Sequence, residues 1–201
     1  MDMDLSGVRA HEPTAVTDER QEAAVLVPIV ERDCGPSLVF TKRSEQLEDH
    51  PGQMSFPGGK REPEDETLRE TALRESNEEI GLEPTGVEFV GRLDDIRTVT
   101  RFSVRPFVAT VPESPYKPCD SEVAEVAMLA LGDLTDYENY ESERREHPYY
   151  GDIRLHYFYV DGYTVWGATA RILVQFLELA TDWSVPPEVD REVEPDAEYP
   201  V

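Results

Sequence analysis

Three glutamates on one short segment are the residues of this chain that most clearly indicate chemistry. Glu75, Glu78 and Glu79 are spaced i, i+3 and i+4, so a helix would place their carboxylates on one face within a single turn. Carboxylates that close repel one another unless a cation or an arginine compensates them. Hard oxygen ligands in that number suit Mg²⁺ or Mn²⁺ and do not favour zinc. The spacing therefore predicts a divalent-cation site.

The neighbouring residues strengthen this interpretation. Gly58 and Gly59 precede the glutamates and would let the backbone approach a metal or a phosphate closely. Arg74 lies beside the cluster, where it can orient a carboxylate and offset repulsion. In a chain this acidic, two adjacent glutamates alone would be typical of a solvated helix face. The combination of acids, arginine and glycines at fixed spacing is what indicates a site.

The cluster needs a helix to carry it, and the sequence predicts one from Thr67 to Ile80. Thr67 and Glu70 have the spacing of a capping box, and an apolar stripe follows them. Gly81 is placed to end the helix in a left-handed conformation. We therefore expect the three carboxylates in the second half of a well-defined helix.

Apolar runs predict the strands that surround this helix. The expected strands are residues 23–30, 37–41, 87–93, 104–111, 122–131 and 153–160, and a second helix is expected at 169–180. The elements interleave without regular βαβ alternation, which predicts an α/β fold with a mixed sheet and helices on its faces. We expect one domain at residues 21–181, flanked by a flexible N-terminal tail (1–20) and an acidic, proline-rich C-terminal tail (182–201).

Charge excludes several functions. The chain has 19 Lys and Arg against 43 Asp and Glu, a formal net charge of −24, which disfavours nucleic acid and anionic membranes as partners. Only three of the cations are lysines, a composition typical of salt-loving organisms. Two cysteines make no disulfide framework, and no apolar leader or membrane-length run is present, so the sequence predicts a cytoplasmic protein.

The residues around the cluster resemble a known motif. The Nudix box is the loop-helix-loop of hydrolases that act on nucleoside diphosphates linked to another group, and the matching residues here are Gly59, Arg74, Glu75, Glu78, Glu79, Gly81 and Leu82. Ser76 stands where that box usually has an aliphatic residue, and the loop from Gly59 to Glu66 is one residue longer than usual. The longer loop resembles that of the coenzyme A pyrophosphatases. The family resemblance implies an α/β/α sandwich around a central mixed sheet.

Further segments resemble the same subfamily. They are Thr41-Lys42-Arg43-Ser44, His50 with Gly52 and Gln53, Phe56-Pro57-Gly58-Gly59, and the segment from Trp166 to Leu173. One position departs: Glu48 stands where the subfamily has an arginine. A carboxylate there would repel the 3′-phosphate that distinguishes coenzyme A from simpler ADP compounds.

The resemblance implies roles for individual residues. Glu75, Glu78 and Glu79, with the carbonyl of Gly59, would hold Mg²⁺ or Mn²⁺ against a diphosphate, with Arg74 beside them. A later carboxylate, with Glu122 preferred to Glu125, would complete the catalytic set. The residues expected to bind substrate are Lys42, Arg43, Ser44, Gly58 and Arg61. The expected partners are a small nucleotide substrate and a second copy of the chain in a homodimer. Two alternatives stay open: a Nudix enzyme for ADP-ribose, NADH or a nucleotide sugar, and a catalytically silent nucleotide-binding domain.

Overall fold

The computed structural model describes residues 3–47, 50–147, 151–194 and 197. Its strands are β1 (Gln21–Val30), β2 (Ser37–Arg43), β3 (Met54–Ser55), β4 (Gly58–Lys60), β5 (Glu88–Arg92), β6 (Ile96–Arg97), β7 (Phe102–Val111), β8 (Val123–Ala130), β9 (Tyr140–His147), β10 (Gly151–Val160), β11 (Tyr163–Trp166) and β12 (Arg191–Glu192). Its helices are α1 (Ser6–Ala10), α2 (Leu68–Ile80), α3 (Leu131–Leu134) and α4 (Gly167–Ala180), with a 3-10 turn at Tyr137–Asn139.

Strand β1 is the centre of the main sheet because both of its faces are apolar. It runs parallel to β7 along its whole length and antiparallel to β2 and β4 on its other side. The sheet is therefore mixed, in the order β3-β2-β1-β7-β5, with β8 beside β2 and β6 beside β7. The first two strands form an antiparallel hairpin.

The two long helices cover opposite faces of this sheet. Leu26 of β1 shares a core with Ala72 and Ile80 of α2. Ile29 of the same strand shares the other core with Phe176 of α4. This layering is the α/β/α sandwich that the resemblance implied. In the described part of the chain, no helix is both long and apolar enough to cross a membrane.

Helix α2 has the boundaries that its capping residues predict. The Thr67 side chain accepts the backbone N–H of Glu70, and the Glu70 carboxylate accepts the N–H of Thr67. At the other end Gly81 has φ 69° and donates its N–H to the carbonyl of Asn77. Both termini are therefore satisfied by local residues.

A second sheet, in the order β11-β10-β9-β12, was predicted only at β10. Strand β9 has the sequence YESERREH, in which charged residues hide the usual alternation of apolar and polar positions. Glu143 and Arg145 are nevertheless buried, and they form an ion pair with each other. Mutual pairing lets these charges enter the interior.

The N-terminal segment is not the flexible tail that its polar sequence suggested. Val8 of α1 is 1% exposed and belongs to the core formed with α4. The N–H of Asp4 donates to the Ala180 carbonyl at 2.8 Å, and the His11 ring bonds Asp94 at 2.9 Å. One apolar residue and a few hydrogen bonds were too weak a pattern to predict this packing from sequence.

The C-terminal segment also differs from the expected flexible tail. Trp183 is 2% exposed, and β12 adds a parallel strand to β9. The Arg154 guanidinium donates to the carbonyls of Pro186 and Glu188, both at 2.7 Å. The segment has few apolar residues because polar groups fasten it to the second sheet.

Candidate functional site

Two of the three glutamates of α2, Glu75 and Glu79, lie against the backbone of β4. The N–H of Gly58 donates to Oε2 of Glu79 at 3.0 Å. A Cβ atom at Gly59 would lie 2.5 Å from the Glu75 carboxyl group. The backbone can approach the carboxylates this closely only because position 59 has no side chain.

Two features of the backbone require a glycine at position 58. Its φ is 149°, a conformation that residues with a side chain rarely adopt. A Cβ atom there would also lie 2.2 Å from the Ala24 carbonyl oxygen of the paired strand. Gly58 therefore shapes the loop, whereas the sequence indicated it as a residue that binds substrate.

Arg74 joins the carboxylates to the loop that precedes α2. Its Nη1 atom lies 3.1 Å from one oxygen each of Glu75 and Glu78. Its Nη2 atom donates to the Lys60 carbonyl at 3.0 Å. One guanidinium thus orients two glutamates and holds the end of β4.

Asp65 anchors that guanidinium, and sequence reasoning missed it. Its two carboxylate oxygens accept Nε and Nη2 of Arg74 at 3.1 and 3.0 Å. It also accepts the Thr71 hydroxyl and the Glu62 N–H. These hydrogen bonds, that of Arg74 above all, hold the pKa of the Asp65 carboxyl well below its usual range. Four acids stand between residues 62 and 66, so the sequence gives no sign of which one turns inward.

Burial makes the remaining carboxylates expensive to ionise. Glu79 is 7% exposed, and burial raises its pKa to about 8. The Gly58 N–H opposes that shift, while the charges of Glu75 and Asp120 add to it. Burial likewise raises the pKa of Glu75, partly offset by Arg74. A bound cation would relieve this cost.

The donor set fits a hard divalent cation. The buried Glu79, the half-buried Glu75 and the exposed Glu78 belong to one helix face, and the glycines at 58 and 59 have no side chains that would cover the adjacent backbone. Among the described residues, no three acidic, histidine or cysteine side chains already converge on one point. Arg74 holds oxygens of Glu75 and Glu78, so a cation would compete with the guanidinium for them.

The later loop offers a second carboxylate, Asp120, besides the Glu122 that the sequence indicated. Both residues are exposed, and the charge of Asp120 is among those that raise the pKa of Glu79. The Asp120 carboxylate accepts the N–H groups of Glu122 and Val123, which fixes it at the start of β8. Glu125 accepts the Tyr163 hydroxyl. Asp120 is therefore a second candidate, besides Glu122, for a further acidic residue at the site.

The residues expected to bind substrate fall into two groups. Lys42 lines a cleft of about 750 Å³, and the positive charge of Arg43 acts on Glu79. Ser44 donates its N–H to the Glu122 carbonyl, which joins β2 to the later loop. Glu48 lies outside the described residues.

Arg61 is exposed and braces the loop that precedes α2. Its guanidinium forms an ion pair with Glu22 at 2.9 Å and donates to the carbonyls of Asp65 and Glu66. These bonds account for its position without a substrate. Ser76, the departure inside the motif, is buried and donates its hydroxyl to the Ala72 carbonyl at 2.7 Å, so the helix satisfies it locally.

Comparison with known proteins decides the family. The model of the NUDIX domain matches residues 20–150, which include the carboxylates, Arg74 and both glycines. The chain belongs to the Nudix family. It is 39% identical over 158 residues to the "Uncharacterized Nudix hydrolase NudL" of Enterobacter sp. (strain 638), covering 77% of this chain and 80% of that one. Similarly, it is 36% identical to the NudL protein of Escherichia coli O1:K1, covering 85% and 87%.

A solved structure shares the fold. The MutT/nudix family protein from Enterococcus faecalis aligns with a TM-score of 0.51 and 13% identity, over 83% of this chain and 64% of that one. Family and relatives together make the chain a Nudix pyrophosphohydrolase that acts on a nucleoside-diphosphate-linked substrate.

Proposed function

We propose that this Nudix hydrolase cleaves coenzyme A or its thioesters into 4′-phosphopantetheine, or the acylated form, and adenosine 3′,5′-bisphosphate. The reaction would require Mg²⁺ or Mn²⁺, held by Glu75, Glu78, Glu79 and the Gly59 carbonyl. The observation that carries hydrolysis is the placement of the buried Glu79 and the half-buried Glu75 directly against the Gly58–Gly59 backbone. When bound, such cations neutralise charge on the diphosphate oxygens and lower the pKa of a coordinated water molecule.

The protein residues around the cation have separate tasks. Arg74, anchored by Asp65, keeps the oxygens of Glu75 and Glu78 on the side that faces β4. The Gly58 N–H favours the ionised form of Glu79, the form that binds a cation. Arg43 offers a positive charge near the same carboxylate, where it can contact a phosphate.

The preference for coenzyme A is supported by where the subfamily-like residues lie. Lys42, His50, Gly52, Gln53 and Trp166 come from three separate segments that resemble that subfamily, and all of them line the 750 Å³ cleft. A cleft of this size is in the range of small-molecule sites and has room for a large part of such a substrate. Its lining combines a cation, amide and hydroxyl groups, and aromatic rings.

A second candidate is hydrolysis of ADP-ribose, NADH or a nucleotide sugar. Glu48 favours it, because a carboxylate at the position of the subfamily's arginine disfavours an extra phosphate. These substrates share the diphosphate and lack the 3′-phosphate.

The test is a substrate panel in molar KCl with Mg²⁺ or Mn²⁺, with products identified by mass. Coenzyme A, 3′-dephospho-coenzyme A, ADP-ribose, NADH and deoxynucleoside triphosphates are compared. We expect coenzyme A to give the two products named above, with activity abolished by EDTA. Glu78→Gln and Glu79→Gln should each lower kcat about a hundredfold or more while the protein stays folded.

Glu83→Gln is the matched control, because Glu83 is an exposed glutamate just beyond the helix. It should keep wild-type activity. Turnover by either ligand variant near the wild-type rate, or undiminished turnover in EDTA, would contradict the metal role. Efficient turnover of ADP-ribose without turnover of coenzyme A would select the second candidate.

A further inference from the structure

The end of the chain forms a strap across the second sheet. We call residues 182–194 the C-terminal strap; it contains the buried Trp183 near its start and β12 near its end. The Asp190 carboxylate accepts the N–H of Ser142 at 2.7 Å, and Arg154 holds two strap carbonyls. The strap is therefore fixed along its length by polar contacts with β9 and β10.

Arg191 is the strap residue whose side chain pairs with the buried carboxylate of Glu143 in that sheet. Its Nε atom donates to Oε2 of Glu143 and its Nη1 atom to Oε2 of Glu141, both at 3.0 Å. Glu143 is 1% exposed and also accepts Arg145 and the Tyr157 hydroxyl. A buried carboxylate with this many donors keeps the Arg191 guanidinium in one place.

Arg191 is linked to the wall of the cleft by one intervening aromatic ring, that of Tyr157. Its guanidinium carbon lies 5.5 Å from the centre of the Tyr157 ring. Tyr157 pairs with Trp166 across β10 and β11, and their rings are nearly parallel, at 12° and 6.2 Å between centres. Trp166 in turn lines the 750 Å³ cleft.

Another part of the cleft lining is held by a contact that does not involve the strap. The Thr169 hydroxyl, in the first turn of α4, donates to the Met54 carbonyl at 3.1 Å, and Met54 lines the cleft. The interactions described above that hold the carboxylates of α2 and their partner Arg74 come from β4 and the loop of residues 60–65. None of these interactions involves the strap. A change at Arg191 should thus move one wall and leave the reacting centre intact.

We propose that Arg191 is a positioning residue for substrate binding: through Tyr157 it sets the indole of Trp166 at the angle against which the organic part of the substrate packs. The inference rests on the proposed function only in that the substrate occupies this cleft. It predicts that loss of Arg191 raises KM and leaves kcat nearly unchanged.

The position of the indole is measured first, without substrate. The chain has two tryptophans, so Trp183→Phe leaves Trp166 as the single reporter. In that background, Arg191→Ala should change acrylamide quenching of the Trp166 fluorescence about twofold, while Arg191→Lys should restore much of the wild-type value because it keeps a cation over Tyr157. Unchanged quenching in Arg191→Ala would overturn the proposal, whatever the substrate is.

Steady-state kinetics with coenzyme A then test binding. Arg191→Ala should raise KM about fivefold with kcat within twofold, and Arg191→Lys should lie between it and the wild type. Glu192→Ala is the control: Glu192 is the next strap residue, exposed, and paired with exposed Arg144, so it should leave both constants unchanged. Equal effects of the Arg191 and Glu192 variants, or a fall in kcat alone, would refute the positioning role.

Two other outcomes, a wild type that does not hydrolyse coenzyme A and an Arg191→Ala variant that does not fold, call for different measurements. If the wild type does not hydrolyse coenzyme A, the proposed substrate is wrong, and the same constants are measured with whichever substrate of the panel is cleaved. If Arg191→Ala does not fold, Trp166→Leu and Arg191→Lys decide: both must raise KM with kcat preserved, and an unchanged KM in Trp166→Leu overturns the inference.

Discussion

Replacing Glu79 by Gln should stabilise the metal-free protein in mild alkali, although it removes a carboxylate proposed to be essential for activity. Glu79 is buried against β4, and its pKa is raised from the ordinary 4.5 to about 8, chiefly by burial. A carboxyl group with a raised pKa is protonated in the folded state and ionised in the unfolded state between these two values. The folded state therefore loses stability as pH rises from about 4.5 through 8.

The magnitude follows from the size of the shift. At 1.36 kcal/mol per pKa unit, ionising Glu79 inside the folded protein costs at most about 5 kcal/mol of unfolding free energy above pH 8. Gln has no charge, and its side-chain oxygen can still accept the Gly58 N–H. Allowing for relaxation around the charge, we expect Glu79→Gln to be about 3 kcal/mol more stable than the wild type at pH 9. For a chain of this size that is a rise in Tm of roughly 10 °C.

The assay is thermal unfolding followed by circular dichroism in molar KCl with EDTA, at pH 4 and pH 9. The wild type and Glu79→Gln should melt at similar temperatures at pH 4 and separate at pH 9. Glu83→Gln, which removes an exposed carboxylate, should follow the wild type at both pH values. Coincident melting of the wild type and Glu79→Gln at pH 9 would show that burial of Glu79 carries no such penalty.

Three other changes test separate features. Asp65→Asn should lower the unfolding free energy at pH 7 by about 2–3 kcal/mol and lower kcat, since it weakens the anchor of Arg74. Because the Asp65 pKa is lowered in the folded state, the wild type should lose the same contribution only below about pH 4. Wild-type melting and rates in the variant would contradict the anchoring role. Lowering KCl from molar to millimolar should unfold the chain, because its carboxylates, 43 acids against 19 bases, repel one another when salt does not screen them. A constant melting temperature across that series would disprove a halophilic character. Glu48→Arg should lower KM for coenzyme A and leave KM for 3′-dephospho-coenzyme A nearly unchanged, and an equal response of the two substrates would show that position 48 does not face the 3′-phosphate.

Helix α2 could be predicted because its sequence signals are local. The capping box at Thr67 and the glycine at position 81 are each satisfied by residues within six positions, so a short window of sequence contains the whole cause. The i, i+3, i+4 spacing of the glutamates depends on the helix alone. The apolar runs of β1 and β2 were equally visible because burial needs no partner of a particular chemistry.

The features that were missed depend on partners distant in sequence. Strand β9 is charged, and its buried Glu143 is compensated by Arg191, 48 residues later. Asp65 cannot be told from its acidic neighbours until Arg74 and Thr71 are placed around it. The effect of the Asp120 charge on Glu79 depends on the conformation of the loop before β8, which the sequence alone does not show.

The docking of the N-terminal segment has a consequence for biosynthesis. Asp4 and Gly7 contact the backbone of residues 179–180, and His11 contacts Asp94. Because this segment precedes α4 in the chain, it must stay undocked until that helix has been made. Its polar sequence, with a single deeply buried apolar side chain in Val8, suits a segment that stays exposed to water during that interval. Docking of the N-terminal segment on α4 is then a late step of folding.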